Sequence, residues 1–98
     1  MIQKPSPDPE PTLTVTDIKT EVGNDVLTQL ARAGWKVAYE YPLTAFDKGI
    51  DFDAYTLARG GERVEFEWTN WDEWTIRGPR AVVVTICDDF GIALGREG

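Results

Sequence analysis

Glu62-Arg-Val-Glu-Phe-Glu-Trp-Thr-Asn-Trp-Asp-Glu-Trp-Thr-Ile-Arg-Gly78 holds three of the chain's four tryptophans and its strongest alternating pattern. Val64, Phe66 and Trp68 point one way, and Arg63, Glu65, Glu67 and Thr69 point the other. That period of two marks a half-buried strand. After Asn70, Trp71 and Asp72 the alternation resumes, with Trp74 and Ile76 apolar between Glu73, Thr75 and Arg77. A loop at 70–72 sets Trp68 opposite Trp74, Phe66 opposite Ile76, and Glu65 opposite Arg77. Aromatics then share one face and a charge pair the other, the arrangement that stabilises an antiparallel pair. The stretch predicts a hairpin.

Upstream, Gly60-Gly61 is a two-residue turn signal, because glycine accepts the positive φ that tight hairpins demand. Pairing Arg59 with Glu62 brings Leu57 to Val64, Tyr55 to Phe66, and Asp53 to Trp68. Both hairpins thus place their aromatic residues on one face, which extends the prediction to a meander. The other face would carry Phe52, Ala54, Thr56, Glu65, Glu67, Thr75 and Arg77, a solvated surface with an acidic stripe. A strand at 35–41, ended by Pro42, would add Lys36, Ala38 and Glu40 to it, with Trp35, Val37, Tyr39 and Tyr41 turned inward.

Two helices complete the reading. Over 17–33, Ile18, Val22, Val26, Leu27, Leu30 and Ala31 form one apolar stripe, capped by Thr16 or Asp17 and stopped by Gly34. Gly23-Asn24-Asp25 weakens its middle, so a start at Asn24 is the alternative. Residues 81–87 are β-branched enough for a strand. Pro79 as a helix entry, Val83, Ile86, Cys87 and Phe90 on one stripe, and Gly91 followed by Ile92 favour a helix over 79–90. Leu13 and Val15 could supply a short edge strand. The prediction is an α+β two-layer sandwich: a four-stranded antiparallel meander with two helices on one face, in the order α-β-β-β-β-α. One domain spans 13–94, after a disordered Pro-rich tail at 1–12 and before a frayed end at 95–98.

The net charge of −7 argues against a nucleic-acid binder and against an anionic membrane surface. It suits solubility, and it suits a basic protein partner. The single cysteine, Cys87, permits no internal disulfide and reads as a buried thiol. No run is long and apolar enough for a membrane span or an export signal, which leads us to expect a cytoplasmic protein. Histidine is absent and the one serine, Ser6, lies in the tail, so neither a serine triad nor a histidine base can be assembled. Carboxylates remain: Asp53 with Asp72 or Glu73 could flank a sugar bond, and Asp47, Asp51 and Asp53 could face a hard cation. No spacing fixes either arrangement. We therefore expect no catalytic residues, no metal and no cofactor.

Trp71 stands out, at a loop tip beside Asp72 and Glu73. Either its ring folds back over the core edge, or it anchors a partner's arginine or lysine. The leading expectation is a non-enzymatic, acidic interaction module that binds a basic protein and inhibits or neutralises it. By size and charge alone it is akin to small inhibitors and immunity proteins. Its partner-binding residues would be Trp71, Asp72 and Glu73, with Glu65 and Glu67 as a second patch. The alternatives are a carbohydrate or small-ligand domain centred on Trp71, and a homo-oligomer formed through uncovered sheet edges.

Overall fold

A computed structural model describes residues 11–93. The readings for 1–10 and 94–98 lie outside the described residues, and Thr12, expected in the tail, begins the first strand. The elements are β1 (Thr12–Ile18), α1 (Thr20–Arg32), β2 (Lys36–Glu40), β3 (Phe52–Arg59), β4 (Glu62–Thr69), β5 (Glu73–Pro79) and α2 (Arg80–Phe90). The five strands form one antiparallel sheet in the order β1-β5-β4-β3-β2. Both helices lie on one face, so the architecture is the expected two-layer α+β sandwich.

The central meander forms in the predicted register. Arg59 pairs with Glu62, Leu57 with Val64, Tyr55 with Phe66, and Asp53 with Trp68. Phe66 pairs with Ile76, Trp68 with Trp74, and Glu65 with Arg77, whose guanidinium lies 3.1 Å from the Glu65 carboxylate. Gly60 takes the left-handed φ of 62° that its turn requires. Leu57, Val64, Phe66 and Ile76 meet Val26 of α1 and Val83 of α2 in the core. Cys87 is buried there too, and burial raises its thiol pKa, with Asp88 adding to the effect.

Three details depart from the sequence reading. First, the sheet has five strands, not four. The short edge strand that Leu13 and Val15 suggested is present and longer, with residues 12–18 along β5, Leu13 opposite Gly78 and Val15 opposite Ile76. The order is therefore β-α-β-β-β-β-α, and Ile18 is a buried strand residue rather than the first of the helical stripe. Second, α1 starts at Thr20, capped by neither Thr16 nor Asp17. Asp17 has φ 58° and lies in the irregular stretch of β1 between Val15 and Ile18, where the register along β5 shifts. The orphan N–H of Thr20 is taken by Glu73 Oε1 at 2.7 Å, from a strand 53 residues away. Third, β2 has a bulge between Val37 and Tyr39. The extra residue reverses the alternation, so Tyr39 pairs with Thr56 on the open face and Glu40 with Tyr55 on the helix side.

Gly23 does not interrupt α1. A Cβ at this position would lie inside the Trp74 indole, so the glycine is what lets helix and sheet approach. α2 ends as expected, with Gly91 in the left-handed region and the Ile92 N–H donating to the Cys87 carbonyl at 2.9 Å.

Candidate interaction surface

The meander closes differently at its two ends. Gly60-Gly61 joins β3 to β4 with no spare residue. At the other end lie the 70–72 loop and the longer 41–51 connection between β2 and β3. The two are neighbours, since Phe52 pairs with Thr69 and the Asn70 N–H donates to the Asp51 carbonyl at 3.2 Å.

The 70–72 tip is held from within. The Asp72 N–H donates to Thr69 Oγ1 at 2.9 Å, and Glu73 adopts φ 62°. Trp71 projects from this tip and is 74% exposed, so its ring does not fold back over the core. Its two neighbours in the aromatic stretch are stitched to the start of α1. Trp68 Nε1 donates to Thr20 Oγ1 at 3.0 Å, and Trp74 Nε1 donates to Asn24 Oδ1 at 3.1 Å. Thr20 Oγ1 in turn donates to Glu73 Oε1 at 3.1 Å. Glu73 is thus occupied as a distant helix cap. The donors of Thr20 hold its carboxyl pKa below the ordinary value.

The 41–51 connection carries the apolar exposure that sequence reading missed. Phe46 is 91% exposed, Leu43 78% and Ile50 63%. These side chains stand on a braced loop. The Asp47 carbonyl accepts the N–H groups of Ile50, Asp51 and Phe52 at 3.0, 3.1 and 3.2 Å, and Gly49 N–H donates to the Phe52 carbonyl at 2.8 Å. Tyr41 donates its hydroxyl to Asp47 Oδ1 at 2.9 Å, a bond that raises the phenol's pKa. Lys48 Nζ lies 2.7 Å from Asp53 Oδ1 and 3.1 Å from Glu40 Oε2, and these carboxylates raise its pKa. Glu40 and Asp53 lie on the helix side of the sheet, whereas Tyr41 and Phe52 pack edge to face on the open side. Asp47 and Lys48 therefore clamp the loop from both faces of the sheet end.

The carboxylates that could have served chemistry share the loop end but are engaged separately or exposed. Asp53 is paired with Lys48, the Asp47 side chain is held by Tyr41, and Asp51 is exposed. Among the described residues no three Asp, Glu or Cys side chains gather as metal ligands. Of the predicted binding residues, Trp71 and Asp72 sit together and exposed at the loop end. Glu65 and Glu67 are exposed on the open sheet face, with Glu65 paired to Arg77. No helix of the described residues is long and apolar enough to cross a membrane.

Charge is also sorted along the sheet. Glu40, Asp47, Asp51, Asp53, Asp72 and Glu73 gather at the loop end, where Lys48 is already ion-paired and Lys19 lies within reach of Glu73. Arg32, Lys36, Arg59, Arg63 and Arg80 lie toward the Gly60-Gly61 end, with Glu62 as the acid at the turn. The chain matches no protein-family model, no curated protein and no solved structure.

Proposed function

We propose that this protein is a small acidic interaction module that binds a basic protein partner through the loop end of its sheet and, by covering that partner's surface, inhibits or neutralises it. The observation that carries the reading is the exposed Trp71 beside Asp72, on a tip adjoining a braced loop that displays Leu43, Phe46 and Ile50. Burying such side chains drives association. An indole face flanked by carboxylates attracts arginine or lysine, and acids at the rim steer a basic surface toward the site. Because the loop is braced before binding, little ordering entropy opposes the contact. Glu65 and Glu67 on the open sheet face form the second patch, and Glu73 supports the tip by holding α1.

Selection of random peptides displayed on phage against the immobilised protein tests this reading. The expected outcome is enrichment of sequences that combine Arg or Lys with an apolar residue. Trp71→Ala should weaken the selected peptides about tenfold or more, as loss of a central aromatic anchor does, while leaving the melting temperature nearly unchanged. Enrichment without basic residues, or peptides indifferent to Trp71→Ala, would sink the reading. Tryptophan fluorescence titrated with oligosaccharides addresses the carbohydrate alternative, for which Trp71 is the one indole whose exposure suits a stacking platform.

A further inference from the structure

Between the C-terminal half of α1 and the length of α2 runs an apolar groove of about 740 Å³. Trp35 and Ile86 are buried in it, and Leu30, Val82 and Phe90 are half-buried along it. Arg59 stands at its edge, with its guanidinium 4.9 Å from the centre of the Trp35 ring and Nη1 donating to the Ala33 carbonyl at 3.1 Å. Arg59 and Asp89 are the charged residues of its lining, and Arg32 and Arg80 adjoin the lining residues Ala33 and Ala81 in the chain, at the basic end of the sheet. The loop at the opposite end has the converse properties. It protrudes, it is apolar through Leu43, Phe46 and Ile50, and it is rimmed by Asp51 and Asp72. Among the described residues neither of those acids is in an ion pair.

We infer that the groove receives the 41–51 loop of a second copy of this chain, so that copies associate head to tail. The inference uses the acidic end assigned above and adds the groove as a second site. Shape supports it, because a projecting apolar loop meets a recessed apolar groove large enough for more than one side chain. Charge supports it too, because acids rim the loop and arginines flank the groove. Loop and groove lie at opposite ends of the sheet, so a single molecule cannot join its own. A contact between two different surfaces leaves one of each unfilled on the end molecules and permits growth beyond a dimer. The net charge of −7 opposes association at low salt. At physiological ionic strength the Debye length is about 8 Å, so repulsion between the bodies beyond the contact is largely screened. Sheet-edge pairing is the rival route, and both edges are poorly suited to it. β1 is irregular between Val15 and Ile18, β2 is bulged between Val37 and Tyr39, and bulges blunt an edge against further pairing.

Light scattering on the purified chain across concentration tests the inference, with two variants at exposed positions. Phe46→Asp blocks the loop and leaves the groove. Thr85→Glu, on the groove wall, places an acid against the incoming loop and leaves the loop intact. The expected mass of the unaltered chain rises above 11.0 kDa with concentration, while each variant alone stays at the monomer mass. Mixing the two variants should restore association but stop it at one pair, since one loop and one groove remain usable. Circular dichroism of each variant confirms that it is folded. An unaltered chain that stays monomeric throughout overturns the inference, and so does a closed dimer that does not grow. Association undiminished in both variants assigns the contact to another surface. None of these results bears on the peptide selection, so the basic-partner reading stands or falls separately.

Discussion

The two ends of one sheet have opposite designs. At the Gly60-Gly61 end the chain turns in the fewest residues, arginines surround the turn, and apolar side chains are recessed between helices. At the loop end the chain spends residues 41–51 and 70–72 outside any strand, acids dominate, and Leu43, Phe46, Ile50 and Trp71 face solvent. The difference separates stability from recognition. Residues that project from braced loops add little to the core, yet an exposed apolar group bordered by charge is the common form of an interaction site. The aromatic hairpin spans both roles: Trp68 and Trp74 tie α1 to the sheet, and Trp71, between them, is released to solvent.

Substitutions should divide along that boundary. Trp74→Ala removes a buried ring packed on Gly23 and bonded to Asn24, and should destabilise the fold by about 3–5 kcal/mol. That is a large share of the total of about 5–10 kcal/mol usual for a chain this size. Chemical denaturation measures it, and a loss under 1 kcal/mol would mean that the helix does not depend on this contact. Gly23→Ala is a sharper probe because two effects oppose one another. Alanine favours a helix by about 1 kcal/mol, but its methyl group would occupy the space of the indole, and overpacking costs about 1–3 kcal/mol. Net destabilisation is expected, and stabilisation would place the α1–sheet contact further apart than described.

The third effect depends on pH. The Glu73 pKa is lowered by its bonds to Thr20, so its ionised cap stabilises the folded protein fully above the ordinary glutamate value of about 4.3. That stabilisation is lost as pH falls below this value and through the lowered one. Glu73→Gln should therefore flatten the acid limb of a plot of melting temperature against pH, while the amide oxygen keeps an acceptor for Thr20. An unchanged acid limb would assign it to other carboxylates. Lys48→Met should have a smaller global effect and a local one. Amide exchange at Gly49, Ile50, Asp51 and Phe52 should quicken once the clamp to Glu40 and Asp53 is gone, with little change in melting temperature. Uniform exchange before and after would show that the backbone bonds alone brace the loop. Trp71→Ala should shift stability least, within about 0.5 kcal/mol.

Where pairing partners lie close in the chain, the sequence states the outcome. The meander register follows from residues 50–78, because both turns are short and one slipped residue would move every aromatic to the wrong face. The helix over 79–90 and its glycine end are likewise local, read from Pro79, the Val83–Ile86–Cys87 stripe and Gly91. The exposure of Trp71 was evenly balanced between two readings, because no local pattern says which way a loop-tip ring turns. Other features depend on contacts between distant parts of the chain. Residues 12–18 become a strand because β5 offers them an edge, and α1 starts at Thr20 because Glu73 arrives to cap it. The bulge that turns Tyr39 outward is defined only against β3.

By itself the sequence determined the class of fold, the central register, the acidity and the lack of histidine. The tertiary structure decided which acids are already engaged, which tryptophan is free, and that charge and exposed apolar surface divide between the two ends of the sheet. The physical reason is range. Alternation and turn chemistry act over a few residues, whereas an ion pair, a distant cap or a surface patch exists only once separate segments are brought together.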